Sequence, residues 1–353
     1  MAFERGLDFA AFFSNIARVG LFTIDCDFRY DIVRKIFEGG MGIVYEAEQH
    51  GARQFIKRVA IKVVRQNYAS NQEFIENFIG EAKLVADVIH TNIVQTYHLG
   101  EVKGMYFISM ELIRGVNLEQ FTNQLHDRKR QLPRELAVFI TSRVARGLAY
   151  AHNKADKDGK PLGIVHRDVS LKNIMIAFEG DVKLTDFGIA KARGFLSDHE
   201  GEVVAGKADY MSPEQADFQV TDKRSDVFSA GVVLQHLLLG RNIFKADTPE
   251  ESRQRVLTMP VPDFRTLDSR IDDPLNDSLQ KCLARDLNKR YATADELMTG
   301  LEYYIYHAGY GPTNETLGKF IRELFGQQAP IAAAVDSAGG TQVIEHTARI
   351  AKV

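Results

Sequence analysis

The 353-residue chain predicts an α+β protein of two lobes: a small antiparallel β-sheet lobe with one helix, then a larger, mainly helical lobe. Three observations carry this. From Arg29 to about Val64 the pattern is strand-like, with β-branched clusters such as "GIVYEAE" and "RVAIKVV". Ser70 followed by Glu73 is a capping-box signal, and it opens a helix through Phe74, Phe78, Glu81 and Leu84. Beyond "RGVNLEQF" the composition shifts toward long helices, among them "RELAVFITSRVARGLAYAHN", whose apolar face is continuous and whose first turn suits Pro133.

The remaining elements follow in chain order. Residues 1–28 read as an extension in which Leu7, Phe9, Phe12, Phe13 and Ile16 repeat at helical spacing. Packing of this helix on its own chain is the first reading, and a homodimer through the terminal helices the second. The strand-like runs "IVQTYHLG" and "MYFISMEL" complete the small lobe, which is assigned residues 29–113. The large lobe takes residues 114–309; "KADKDGKPLG" forms an exposed loop or hairpin, and short strands cover Ile174 to Ile176 and Val182 to Leu184. Leu317, Phe320, Ile321, Leu324 and Phe325 mark a C-terminal helix within residues 310–326. The stretch "QQAPIAAAVDSAGG" opens a flexible tail over residues 327–353.

Composition narrows the function classes. Apolar residues make up 45% and charged residues 26%, ordinary values for a soluble globular protein. A formal net charge of -3 gives no reason to expect nucleic acid as a partner. Cys26 and Cys282 are too few and too far apart in sequence for a disulfide framework or a zinc site. No apolar run is long enough to span a bilayer, and Glu4 and Asp8 interrupt any signal-like start. A cytoplasmic protein without a membrane anchor is expected.

The first chemical feature is "KIFEGGMGIVYEAE", Lys35 to Glu48. Glycines allow close backbone approach and leave amides free for phosphate oxygens. A dinucleotide-binding loop or a P-loop would lead into a helix, but Gly42 is followed by Ile43, Val44 and Tyr45, another strand. The loop therefore joins two antiparallel strands. Downstream, "VAIK" places Lys62 on the next strand, "HRDVSLKN" places Asp168 and Asn173 in a loop, "LTDFG" ends a strand at Asp186, and "YMSPE" follows at Tyr210 to Glu214. In this order the motifs resemble the eukaryotic-type (Hanks-type) protein kinase family over roughly Tyr30 to Gly309. "GGMGIVY" and "YMSPEQ" look most like its bacterial serine/threonine branch.

The resemblance implies the bilobal protein kinase fold, with ATP and Mg2+ (or Mn2+) as cofactors and protein Ser/Thr hydroxyls as acceptors, the chain's own included. Phe37, Glu38, Gly39, Gly40, Met41, Gly42 and Ile43 would form a flap over the nucleotide. Lys62, partnered by Glu81, would hold the α- and β-phosphates. Asp168 would accept or orient the proton of the acceptor hydroxyl, and Asn173 and Asp186 would hold the metal ions. Similarity places Ile36, Val44 and Ala60 above the adenine and Met175 below it. Met110 would stand as gatekeeper, with backbone groups of Glu111 and Ile113 at the purine edge. Glu214 would pair with Arg290, and Asp226 would brace the catalytic loop.

Three departures from the family pattern define the questions. Phe37 stands where such loops usually open with glycine; its ring would point outward or lie against the ribose edge, altering ATP affinity and leaving chemistry intact. Ser170 and Lys207 exchange the usual lysine of the catalytic loop and threonine before "YMSPE", so Lys207 would supply the missing cation, with Lys172 as its rival. In the activation segment, Arg167 would meet Glu200 or Glu202, making activity largely independent of phosphorylation; autophosphorylated Ser197 is the alternative. These departures also motivate a second functional class, an ATP-binding pseudokinase or scaffold with weak or no transfer. Asn117 and Lys172, where basic-directed kinases often carry glutamate, predict no strong arginine requirement in the substrate, and Ile189 leans toward threonine by family analogy. Thr341 with Ile344 matches the spacing read by phosphothreonine-binding modules, a match that chance explains better.

Overall fold

The computed structural model describes residues 22–39, 42–64, 72–187 and 208–326, apart from the side chains of residues 72–74, 77, 81 and 84. The expected N-terminal helix, the Ser70 cap, Gly40, Met41, the activation segment from Gly188 to Lys207, and the tail with Thr341 lie outside these residues.

Six strands form the first sheet: β1 (Thr23–Asp25), β2 (Arg29–Glu38), β3 (Gly42–His50), β4 (Ile56–Val64), β5 (Thr96–Val102) and β6 (Met105–Glu111). All neighbours pair antiparallel in the order β1-β2-β3-β4-β6-β5. The sheet begins at Thr23, earlier than the strand pattern from Arg29 indicates. Ile24 is the reason: it is fully buried in one core with Tyr30, Ile32, Tyr45, Ile61 and Phe107, and its strand is too short to show a period of its own. The opposite face receives α1 (Gln72–Ala86), which sets Ile75, Phe78 and Ala82 against Val64 and Ile108. The chain after α1 is fastened to the second lobe: Leu184 N–H donates to Asn92 O and Val94 N–H to Leu184 O, each at 2.8 Å.

A small three-stranded sheet of β7 (Gly115–Asn117), β8 (Ile174–Ala177) and β9 (Val182–Leu184) lies at the junction of the lobes. Around it pack α2 (Leu118–Asp127), α3 (Arg134–His152), α4 (Pro213–Ala216), α5 (Lys223–Leu239), α6 (Pro249–Thr258), α7 (Asp273–Cys282), α8 (Ala294–Tyr306) and α9 (Asn314–Phe325). Pro133 occupies the cap just before α3 rather than its first turn. Helix α5 has no polar stripe, because Val227, Phe228, Ala230, Val232, Val233 and Leu234 point in all directions and are all fully buried. It is the axis of the large core, packed against α3, α7 and α8. The "KADKDGKPLG" segment closes as a small hairpin through an Ala155–Pro161 bridge. Among the described residues, no helix is long and apolar enough to cross a membrane.

Candidate active site

The loop from His166 to Asn173 is built on one buried carboxylate. Asp226, in the first turn of α5, accepts from the backbone N–H groups of His166 and Arg167 at 2.7 Å each, and lies 2.8 Å from His152 Nε2. Burial alone would raise the Asp226 carboxyl, but the His152 ring and the His166 backbone hold it below the ordinary carboxylate range. The expected bracing role of Asp226 is therefore visible in its bonds. His152 escapes sequence reasoning, since a histidine closing an apolar helix reads as an ordinary core residue.

This anchoring holds strained backbone in place. Arg167 and Asp186 adopt positive φ values of 58° and 55°, conformations that L side chains rarely take. Burial keeps the His166 imidazole below its ordinary pKa, hence neutral. Its Nδ1 accepts from Asp168 N–H at 3.3 Å, so the proton sits on Nε2, which donates to Thr185 O at 3.1 Å. Asn173 Nδ2 then donates to both the carbonyl and the carboxylate of Asp168, each at 2.8 Å. Thr185 N–H donates to Asn173 O at 3.0 Å, which ties the Asp186 segment to the same loop. Across the cleft, Lys62 Nζ stands 2.6 Å from Asp186 Oδ1.

The sheet supplies the roof. Residues paired across antiparallel strands share a face, and the pairs Phe37–Val44 and Val44–Lys62 put all three side chains on the face from which Lys62 reaches Asp186. Ala60 and Met110 are paired on that face too, while Ile36 falls in a bulge between the Lys35 and Phe37 pairs. Phe37 is 53% exposed, and a Cβ on Gly39 would come within 2.9 Å of its ring. Phe37 thus lies on the cleft face with its ring beside Gly39 and half exposed. Below, Met175 pairs with Asn117 across β7 and β8. The Glu111 side chain is engaged by Lys183 at 2.9 Å and its N–H by Gln95 O, leaving its carbonyl and Ile113 along the segment that connects β6 and β7.

Not every expected residue converges here. Lys172 Nζ lies 3.6 Å from Glu119 at the start of α2. Ser170 is buried, and its Oγ has no hydrogen-bond partner among the described residues. Arg167 Nε donates to Thr221 Oγ1 at 3.3 Å, and Gln215 Nε2 to Arg167 O at 2.9 Å; sequence reasoning missed both Thr221 and Gln215. The side chain of Glu81, and all of Gly40, Met41, Ser197, Glu200, Glu202 and Lys207, lie outside the described residues. Beneath the site, Arg290 meets Glu214 through two bonds of 2.7 and 3.2 Å, as the motifs predicted. Ser225 donates to the same carboxylate at 2.7 Å.

Residues 30–300 match the family model described as the protein kinase domain. The chain belongs to the protein kinase family. It is 36% identical over 302 residues to the tyrosine-protein kinase MasK of Myxococcus xanthus, covering 85% of this chain and 46% of MasK. To the serine/threonine-protein kinase PrkC of Bacillus subtilis it is 34% identical, covering 76% of this chain and 39% of PrkC. The chain thus spans less than half the length of these two relatives. The crystal structure of the PknI kinase domain of M. tuberculosis superposes with a TM-score of 0.59 at 24% identity, covering 80% of this protein kinase and 96% of that domain. That likeness bears on the fold alone, and it agrees with the sheet lobe and helical lobe described above.

Proposed function

We propose that this protein kinase transfers the γ-phosphoryl group of ATP to Ser/Thr hydroxyls of proteins, its own included, in bacterial signalling. The observation that carries the reading is the contact of Lys62 with Asp186 beside the Asp168–Asn173 pair, a convergence of groups up to 124 positions apart. The serine/threonine relatives favour these acceptors, although MasK is named for tyrosine.

The donor set suits a hard cation. Asn173 spends its amide N–H groups on Asp168 and so presents Oδ1, while Asp186 presents carboxylate oxygens. No group of three or more His, Cys, Asp or Glu able to hold a metal occurs among the described residues. Two protein oxygens fit Mg2+ (or Mn2+), which takes the rest of its shell from water and phosphates. When bound, MgATP supplies the phosphoryl group and the metal charge that neutralises its oxygens. Lys62, with Glu81 as its partner on α1, orients the α- and β-phosphates. Asp168, oriented by Asn173, takes the proton from the acceptor hydroxyl as the oxygen joins the phosphorus and ADP leaves. The flap from Ile36 to Val44, with Ala60, Met110, Glu111, Ile113 and Met175, encloses the nucleotide.

Lys207 supplies the cation that the catalytic loop lacks at Ser170. Arg167 receives Glu200 or Glu202, so that transfer does not await phosphorylation; Ser197 is the alternative partner once phosphorylated. The site of action is the cytoplasm.

The test is mass spectrometry of the purified chain after incubation with MgATP, followed by phosphoamino-acid analysis. Phosphoserine and phosphothreonine in the wild type, absent in Asp186→Asn, are expected. Phosphotyrosine alone would overturn the acceptor assignment. Nucleotide binding without any transfer would favour the pseudokinase reading.

A further inference from the structure

Helix α9 lies outside the segment matched to the family, yet it touches the nucleotide site's supports from two sides. A capping box of Thr313 and Thr316 starts it, and Leu317, Phe320, Ile321 and Leu324 are buried along one stripe. That stripe is spent on its own chain, which withdraws it from the homodimer considered for the terminal helices. On one side it meets α2: Phe320 packs on Phe121 with ring centroids 6.2 Å apart, Arg130 covers the same ring, and Gln124 donates to Leu324 O. On the other side it lies directly on the turn between β8 and β9. Gly180 has φ of +95°, and any Cβ there would overlap Asn314 O; a Cβ on Gly318 would come within 2.6 Å of Glu179 O. Backbone therefore rests on backbone. Asn314 donates to Asp181 at 2.6 Å, and Arg322 Nη1 donates to Phe178 O at 2.8 Å.

Phe178 is the pivot. Its carbonyl is held by α9, and its N–H donates at 3.0 Å to Arg114 O, in the segment between β6 and β7 that connects the lobes. The hairpin whose turn is gripped in this way has its two strands beginning just after Asn173 and ending just before Asp186, with Met175 between. β8 and β9 are only four and three residues long and are paired to each other along their length, so a clamp at their turn is transmitted to both ends.

We infer that α9 is a positioning element of the nucleotide site, with Gly318 and Arg322 as positioning residues that set the β8–β9 hairpin against the segment connecting β6 and β7. The inference rests on the ATP reading. By reciprocity, a helix that favours nucleotide binding is itself steadied by nucleotide.

The experiment compares full-length wild type with Arg322→Met and Gly318→Val by calorimetric titration of MgADP and by kinetics. MgADP dissociation constants and the ATP KM should rise by about three- to tenfold, with kcat within about twofold, as loss of a part-buried hydrogen bond or a wedge beneath the hairpin entails. Hydrogen exchange of the α9 amides in wild type should slow on adding MgADP. Folded variants that bind MgADP like wild type would overturn the inference, as would α9 exchange indifferent to saturating MgADP. Arg322→Met, which retains the apolar stripe, decides the matter if Gly318→Val does not fold. A wild type that binds no MgADP would overturn the ATP reading and this inference with it.

Discussion

Lys62 and Asp186 meet at 2.6 Å across the cleft, one from the C-terminal part of β4 and one from a backbone held at positive φ. Both side chains keep some solvent contact, at 21% and 39%, so their pairing contributes little to stability. On the proposed reading it aims charge at a phosphate. Lys62→Met should lower transfer by about 100-fold or more, the scale of losing one preorganised donor. Thermal melting should stay within a few degrees of wild type. A variant that melts much earlier would make Lys62 a structural residue.

The missing lysine at Ser170 sets two candidates against each other. Lys172 faces Glu119, which engages its ammonium at the start of α2. Lys172→Met should therefore keep kcat within about threefold, while Lys207→Met should lose roughly tenfold to a hundredfold, in line with removal of one charge-stabilising group. Near-normal kcat in both variants would end the compensation idea.

Phe37 lies on the cleft face beside Val44, with its ring against Gly39. Phe37→Gly should raise the ATP KM by about three- to tenfold with kcat nearly unchanged, the signature of lost uniform binding. Steady-state kinetics over a range of ATP concentrations reads this directly. A collapse of kcat would place the ring in the chemistry instead.

Arg290 is fully enclosed and pairs with Glu214, whose carboxyl it holds below its ordinary range against the opposing effect of burial. Removing one partner strands the other. Arg290→Ala should destabilise the fold by about 3–5 kcal/mol in urea unfolding. Arg290→Lys should recover only part of this, because an ammonium lacks the two-pronged geometry. Full recovery would show that charge alone suffices.

Acid should weaken the fold through His236. Burial lowers its pKa to about 4, with Lys245 adding to the effect, and its Nδ1 accepts from Tyr210 O–H at 2.7 Å. In the unfolded chain the ring protonates near its ordinary 6.5, so the unfolded state binds more protons between those values. Stability is therefore complete above about pH 6.5 and declines toward pH 4, by at most about 3 kcal/mol from this residue. Unfolding free energies of His236→Gln should depend less steeply on pH over that window. An unchanged slope would assign the acid sensitivity elsewhere, buried His166 being the next candidate.

The convergence of Lys62, Asp168, Asn173 and Asp186, the pairing of Glu214 with Arg290 and the support from Asp226 were legible because the family's motifs keep these residues in a fixed order along the chain. The short strand Val182 to Leu184 was legible because it leads into "LTDFG", and the two-lobe order because strand-like runs give way to long helical ones. What escaped depends on tertiary placement. The side of the sheet on which Phe37 lies was hidden by the bulge at Ile36: strict alternation puts Lys35 and Phe37 on one face, but their partners Tyr45 and Val44 are adjacent residues, so the two face oppositely. The His152–Asp226 bond and the grip of α9 on Gly180 join distant segments, and nothing local in the sequence announces either. Strands β1 and β7, three residues each, are too short to carry a period, and unlike the equally short β9 neither leads into a motif such as "LTDFG".

The central claim is that Asp168 serves transfer rather than folding or binding. Single-turnover transfer from γ-labelled ATP to a generic protein substrate, measured on wild type and Asp168→Asn alongside MgADP affinity, tests it most directly. The account predicts transfer in wild type, a loss of about 100-fold or more in the variant, and MgADP affinities alike within about threefold. Equal transfer rates in the two proteins, or MgADP binding with no transfer in wild type, would contradict it.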